Sequence, residues 1–456
     1  MSGNINMTSG RPFRLLISFA LPLMLGSIFQ QMYTIMDTAI IGQGVGITAL
    51  AALGTVDWLS WLLVGLAQGF TQGFSVSMAQ KYGSGDIDGL HHTIAMSGIL
   101  SLGISVICVI LSEALLPVFL SILNVSLDLY PMAELYVRII FAGTPAVIFY
   151  NLCSSVLRSI GDSRTPLLAM TISAVTNITL DCLAVFLLKW GIAGAAGATV
   201  LSQMLSGVIC FIKISHSSIC KFNWNSIKLD LKSALNLLKL GAPNGFQNVI
   251  IAIGGIIVQR IVDQGDIAFI AGYTATNKLY GLLELAAINN GFAVATYVGQ
   301  NYGAHNLGRI RQGVRTASII AILISVTISV TMILFGRPVT MLFISTDSVA
   351  VANSAGDTAY LCLFIMCVFL PILYMLYVFR CAVQGMGDTF FPMISGIVEF
   401  IMRVGVAVFV AVSGYLNGIV CAEVAAWIGA AVFLAINYAI HIRKELRVNC
   451  KMNLNN

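Results

Sequence analysis

The sequence predicts an all-α polytopic membrane protein: twelve transmembrane helices in two pseudo-symmetric six-helix lobes. Three observations carry this. Hydrophobic residues make up 58% of the 456 residues and charged residues only 9%, with a mean hydropathy of +0.91. A soluble domain carries about 25% charged residues, so this much apolar surface needs a bilayer as its solvent. The apolar residues also form long continuous runs rather than short alternating segments, which selects helices over barrel strands. Finally, short motifs recur about 220 residues apart.

Runs long enough to cross a membrane need about 20 residues. They fall at 13–40, 48–80, 93–120, 132–157, 165–188 and 192–214, then at 235–262, 266–299, 313–336, 357–384, 390–412 and 416–441. Span 1 follows Arg11 and Arg14 directly and lengthens without a small-residue cleavage site, so it reads as a helix and not a signal peptide. Span 2 closes on Gln80-Lys-Tyr-Gly83, and His91-His92 opens span 3 at an interfacial position. Spans 4 and 5 join at Gly161-Asp162, where glycine permits the reversal and Asp162 caps the next helix. Residues 215–234 are polar and basic, either a tether or an amphipathic stretch on the inner leaflet. Spans 10 and 11 join at Gly387-Asp388 in the same way as spans 4 and 5.

The repeat is explicit. Ala79-Gln-Lys-Tyr-Gly-Ser-Gly-Asp86 matches Gly299-Gln-Asn-Tyr-Gly-Ala-His-Asn306, Gly161-Asp-Ser-Arg-Thr-Pro166 matches Gly387-Asp-Thr-Phe-Phe-Pro392, and the Ala-Leu-Pro22 run echoes Gly-Ala-Pro243. Six spans per repeat keep both halves in one orientation, related by an axis along the membrane normal. The expected domains are an N-lobe at 1–214, a cytoplasmic linker at 215–234, a C-lobe at 235–442 and a cytoplasmic tail at 443–456. With the N-terminus inside, 18 of the 24 Lys and Arg fall on inner segments, Arg158, Arg309 and Arg380 among them. The exceptions are Arg138, Lys189, Arg260, Lys278, Arg337 and Arg403. The positive-inside rule therefore places both termini in the cytoplasm of a cell inner (plasma) membrane.

The chemistry centres on Asp37, an ionisable group inside span 1 and a functional-site candidate by default. From Phe13 it lies roughly 36 Å along its helix, Asp181 roughly 22 Å along span 5, and Thr199 roughly 10 Å below the outer end of span 6. All three converge in the outer half of the N-lobe. Asn177 precedes Asp181 by four residues on one helix face. Two carboxylates, an amide and a hydroxyl offer oxygen ligands only, which suits a sodium ion or a shared proton. Pro22 removes a backbone hydrogen bond fifteen residues before Asp37, so span 1 has a hinge.

The second repeat lacks this set. Val258 stands in place of Asp37, Arg403 of Asn177 and Ala407 of Asp181. Its own charges are Glu284, Glu399, Arg403 and Glu423. Glu399 and Arg403 are spaced to pair on one helix, with Arg403–Glu423 the alternative. Glu284 either attracts a cationic substrate or pairs with Lys278.

The order of Pro22, Met36-Asp-Thr-Ala-Ile-Ile-Gly42, the Gln-Lys-Tyr-Gly turn, the Arg-Ser-Ile-Gly-Asp turn and Asn177-x-x-x-Asp181 resembles the MATE (multidrug and toxic compound extrusion) family along the whole chain, nearest its bacterial DinF- and MepA-like members. The resemblance implies a cation/drug antiporter with two lobes around a central cleft, driven by H+ or Na+ re-entry, with no other cofactor. It implies a cation site at Asp37, Asn177, Asp181 and Thr199, with Tyr33 and Asn151 in the same region. The cleft would take Gln31, Met32, Trp61, Gln68, Gln247, Asn277, Tyr280 and Glu284, since Met and aromatic faces accept many shapes and organic cations. The expected partners are amphiphilic or cationic drugs and the lipid bilayer, with a monomer as the working unit and no nucleic acid. Family members that use carboxylates in helix 7 are not matched, because this span offers only Gln247 and Asn248 at depth.

No phosphate-loop, His-Glu-x-x-His or Gly-x-Ser-x-Gly motif is present, which argues against an ATP-driven pump and against an enzyme. A channel is better made from identical pore segments than from a two-lobed chain. A lipid-linked oligosaccharide flippase of related architecture is the alternative, but its pyrophosphate would call for a cleft rich in arginine.

Overall fold

The computed structural model describes residues 5–123, 125–217, 219–220, 230–344 and 349–454; the side chains of residues 47, 50, 55, 57, 58, 60, 122, 349 and 448–454 lie outside that description. The middle of the 215–234 segment is thereby also outside it.

Among the described residues there are thirteen α-helices. The first repeat holds α1 (Pro12–Gly44), α2 (Ile47–Gly83), α3 (Ile87–Ile122), α4 (Tyr130–Ala142), α5 (Thr144–Ser159), α6 (Arg164–Cys182) and α7 (Gly191–Ser215). The second holds α8 (Leu231–Val262), α9 (Ile267–Gly303), α10 (Leu307–Met341), α11 (Val349–Gly385), α12 (Phe390–Ser413) and α13 (Val420–Leu454). Helices α4 and α5 form a single broken span, bent by 42°. Gly143 breaks it, just before Thr144-Pro145, where the proline cannot continue the preceding turn. Span 4 is therefore not the continuous helix read from residues 132–157. With that pair as one crossing the chain has twelve.

Nine helices, and the bent pair as a tenth, are long and apolar enough to cross a membrane on composition alone. The other two crossings are α2 and α9, each 37 residues, which carry many amide side chains. They end at Gly83 and Gly303, on the repeated motifs, and each is followed by a capping position at Asp86 or Asn306. The Asp86 carboxylate accepts from the Gly89 amide at 2.8 Å and from the Lys81 ammonium at 2.7 Å, which together hold it below the usual carboxylate range. Asp162 caps α6 by accepting from the Arg164 and Thr165 amides, both at 3.0 Å, and Asp388 caps α12 from Phe390 and Phe391 at 3.1 and 3.3 Å. Gly161 and Gly387, one residue before each cap, both take positive φ, at 87° and 93°.

The helices are inverted in polarity relative to a soluble bundle. On α3, Leu102, Val106, Ile107 and Ile110 face outward, while Ser97, Ser101 and Ser105 form the buried stripe. Small residues at four-residue spacing let helices approach closely when lipid faces the large ones. One close approach is between α2 and α8, where Gly69 and Gly73 face Gly241 and Gly245. A Cβ on Gly73 would lie 2.4 Å from the Leu240 carbonyl oxygen and 2.5 Å from the Gly241 Cα. Gly73→Ala is therefore expected to overpack this crossing by about 1–3 kcal/mol. The measurement is the thermal midpoint of the detergent-solubilised protein, which falls; an unchanged midpoint contradicts the crossing.

The chain divides into two compact units. Lobe 1 comprises Met1–Asn6 and Leu21–Phe246; lobe 2 comprises Met7–Ala20 and Gln247–Asn456. The first turns of α1 thus pack within lobe 2, and the first half of α8 within lobe 1. Both divisions fall close to a proline inside a helix, Pro22 in α1 and Pro243 in α8.

Within lobe 2 the segment ahead of α1 is firmly seated. The Met7 amide donates to Gln300 Oε1 at 2.9 Å, and its carbonyl accepts from Asn301 at 3.0 Å and from Arg309 at 3.2 Å. Arg309 also reaches the Gly10 carbonyl at 3.1 Å. This arginine holds the backbone that leads into the first helix.

Candidate functional site

Three helices of lobe 1 each supply two polar residues one turn apart: Tyr33 and Asp37 from α1, Asn177 and Asp181 from α6, Thr199 and Gln203 from α7. The four-residue spacing puts each pair on a single face. Asp37 is 7% exposed, and Asn177 and Asp181 are fully buried. The carboxyl groups of Asp37 and Asp181 lie within hydrogen-bonding reach of each other. Asn177 Nδ2 donates to Thr199 Oγ1 at 3.5 Å, and Gln203 Nε2 donates to the Tyr33 hydroxyl at 3.1 Å.

Local sequence explains the convergence. At Gly44 a Cβ would come within 2.3 Å of Val185, and at Gly26 within 3.6 Å of the Leu167 Cα, so small residues let α1 run close against α6 and its extension. That extension is a π-helical segment, Leu183–Leu187, directly after Asp181 and Cys182. Such widened turns are frequent at functional sites because they re-aim the side chains around them. Helices α6 and α7 are pinned by Ser173 Oγ donating to the Ser202 carbonyl at 2.5 Å and by Ser206 Oγ donating to the Ala169 carbonyl at 3.4 Å. One turn beyond Asp37, Ile40, Ile41, Val185, Ile192 and Ala195 close into an apolar cluster.

The electrostatic character follows from what is left over. Asp37 Oδ1, Asn177 Oδ1, both Asp181 oxygens and Gln203 Oε1 are buried with no hydrogen-bond donor. An unpaired buried acceptor is costly, and two facing carboxylates more so. Five such oxygens in one place form a donor set for a hard cation or a proton. This fits sodium and proton chemistry and offers nothing to a soft metal.

Of the residues assigned from sequence to the cation site, the structure brings together Asp37, Asn177, Asp181, Thr199 and Tyr33. For Asn151, the amide donates back to the Val147 carbonyl on its own helix at 2.9 Å. Gln203 was missed, although it stands one turn after Thr199 as Asp181 stands after Asn177. In the substrate set, Met32 and Trp61 are exposed, at 55% and 59%, while Gln31 and Gln68 are half-buried.

Lobe 2 corrects several expected partners. Glu399 and Arg403 do not pair as helix neighbours. Arg380 of α11 donates to Glu399, and Arg403 donates to Glu423 of α13 at 2.7 Å and to the Ile251 carbonyl at 3.1 Å. Arg380 is buried within α11. Glu284 accepts from the Tyr377 hydroxyl at 2.9 Å, with Tyr280 also in reach. Tyr280 stacks on Trp427 with centroids 5.5 Å apart, Asn277 is in hydrogen-bond reach of Tyr273, and Gln247 is buried and donates to Ser395 at 3.3 Å. Gln247 is thus held inside lobe 2, whereas Asn277, Tyr280 and Glu284 remain partly exposed. The two deep arginines of lobe 2 are each committed to a glutamate, which leaves neither for a pyrophosphate.

Known proteins place this architecture. The MatE family profile matches residues 22–183 and again residues 243–409, one copy for each repeat. The chain belongs to the MATE family of transporters. Among similar MATE relatives, the probable multidrug resistance protein YpnP of Bacillus subtilis is 30% identical over 305 residues, covering 67% of this chain and 68% of that one. The probable multidrug resistance protein NorM of Thermotoga maritima is 25% identical and covers 91% and 88%. The FAD transporter of Shewanella oneidensis is 25% identical and covers 73% and 75%. Of solved folds, a MOP superfamily transporter from Pyrococcus furiosus superposes with a TM-score of 0.90 at 23% identity, covering 98% of this chain and 99% of that one. An outward-facing multidrug resistance MATE transporter gives 0.89 at 22% identity, covering 98% and 99%.

Proposed function

We propose that this MATE transporter exports amphiphilic and cationic small molecules in exchange for H+ or Na+, and that the coupling ion binds in lobe 1 at Asp37, Asn177, Asp181 and Thr199. The observation that carries this is the set of buried oxygens without donors, centred on two adjacent carboxyl groups. The multidrug resistance names of the relatives support the substrate class.

The mechanism follows from charge. Empty, the pair is unfavourable in a low-dielectric interior, so a proton or a sodium ion is drawn in. Its uptake changes the charge on α1 fifteen residues beyond Pro22. A bound ion shifts a conformational equilibrium only by its differential affinity for the two states, and the bend of α1 at Pro22 is the element we assign to that bias. Exposed Met32 and Trp61 present polarizable, adaptable surface to amphiphilic substrates. Both termini lie in the cytoplasm of the plasma membrane in this reading, which rests on the distribution of the lysines and arginines, and the working unit is taken as the monomer.

The test is efflux of a fluorescent cationic dye from cells, with the proton and sodium gradients collapsed in turn. Efflux stops when the driving gradient is lost; efflux that persists with both collapsed overturns ion coupling. Pro22→Ala is expected to abolish the ion dependence of export while the protein still assembles. If Pro22→Ala exported dye with wild-type ion dependence, the hinge would be discarded.

A further inference from the structure

One face of lobe 2 carries a groove that ion coupling in lobe 1 leaves unused. It encloses about 400 Å³ among α10, α11 and α13. Ile322 of α10, Pro371, Met375 and Phe379 of α11, and Ile428 and Ala435 of α13 line it, and every lining residue is apolar. It runs eight residues along α11 and seven along α13, about 10–12 Å. Leu323 and Val326 of α10 and Val432 and Ile436 of α13 are exposed beside it. Large apolar side chains on the outside of a membrane bundle face lipid chains.

Local sequence makes the groove. Pro371 cannot donate to the Cys367 carbonyl one turn earlier, and Ser329 Oγ of α10 donates to that carbonyl instead, at 2.6 Å. This contact pins α10 to α11 just beyond one end of the groove. On α13 the small side chain of Ala435 leaves the space open. At the other end the Phe379 and Tyr438 rings pack with centroids 5.8 Å apart.

The end marked by those rings is basic. Arg315 and Arg311 precede Ile322 by seven and eleven residues, two and three helical turns, so all three share one face of α10. They stand about 10 and 16 Å along the helix from Ile322. Both are exposed, and among the described residues neither meets a carboxylate. Arg311 lies near the Tyr438 hydroxyl. Tyr302 donates to Glu445 at 3.3 Å, which sets the end of α13 beside the start of α10 and brings exposed Arg443, Lys444 and Arg447 to the same side. Of the acids there, Glu445 is taken by Tyr302 and Asp388 caps α12.

An apolar slot open to lipid suits a hydrocarbon chain, and two arginines at its mouth with no acid of their own suit a phosphate. We infer that this groove binds an anionic phospholipid of the cytoplasmic leaflet, with one acyl chain along α11 and the phosphate between Arg311 and Arg315. Arginine serves here because its planar fork grips phosphate oxygens in pairs. The leaflet follows from the distribution of lysines and arginines. A zwitterionic headgroup fits less well, because its ammonium meets the cations gathered there. The site stands whether or not lobe 1 couples to an ion.

Native mass spectrometry of the purified full-length protein tests it. Phosphatidylglycerol and phosphatidylethanolamine with the same acyl chains are added to delipidated protein. One phosphatidylglycerol per chain is expected to bind at least tenfold more tightly than phosphatidylethanolamine. Arg311→Gln/Arg315→Gln, at exposed positions, is expected to remove that preference. Ala435→Trp, which fills the groove and leaves both arginines, is expected to weaken phosphatidylglycerol at least tenfold; Ile322→Trp, at an exposed position, serves if Ala435→Trp fails to fold. Equimolar inorganic phosphate is expected not to displace the lipid. Equal binding of the two lipids, phosphatidylglycerol binding unchanged in the arginine or groove variants, displacement by inorganic phosphate, or dimers of the chain in place of a lipid-bound monomer overturns the assignment.

Discussion

Asp37→Asn is expected to reduce gradient-driven dye efflux at least tenfold at unchanged protein level, and Asp181→Asn to do the same. Tenfold corresponds to about 1.4 kcal/mol in coupling. Asparagine keeps the shape and the hydrogen-bonding capacity of the side chain but neither takes up a proton nor neutralises a sodium ion. Each substitution removes one of two facing carboxyl groups whose oxygens otherwise lack donors. Because both serve one site, their effects are not additive: the double variant is expected to be no worse than the more severe single one. Independent roles would instead multiply the losses. Single variants that pump at the wild-type rate would remove lobe 1 from the coupling step.

The second large effect concerns stability. Arg403→Met is expected to cost about 3–5 kcal/mol, because it strands Glu423 in the interior of lobe 2 and removes a donor from the Ile251 carbonyl. Glu423→Gln strands the guanidinium and is expected to cost nearly as much. Combining Arg403→Met with Glu423→Gln is expected to recover most of the loss, since no uncompensated charge then remains. The measurement is thermal unfolding of the purified protein across this cycle. Single variants within about 0.5 kcal/mol of wild type, as at an exposed surface, would show that the pair is not buried in the functioning protein.

The fold was legible because a membrane span writes its length into the sequence, and because the repeat fixed six spans per half. Two details were not. The break at Gly143 needed the backbone, since the apolar pattern runs on through it. The π segment at Leu183–Leu187 is ordinary apolar sequence, and only packing against α1 at Gly44 marks it.

Within the site, Asp37, Asn177 and Asp181 were visible as polar groups at an expensive depth. Gln203 was not singled out, because an amide costs less to bury than a charge and stands out less. Local spacing also misled: Glu399 and Arg403 share a helix face, but the long Arg403 side chain reaches the Ile251 carbonyl and Glu423 on other helices. That choice is tertiary and leaves no trace in spacing.

The decisive measurement is substrate/ion exchange in proteoliposomes under separately imposed proton and sodium gradients, for wild type, Asp37→Asn and Asp181→Asn. One of the two gradients is expected to drive wild-type exchange, and both variants are expected to lose that dependence while still binding substrate. Exchange in both variants that follows the gradient as wild type does would contradict an ion site in lobe 1.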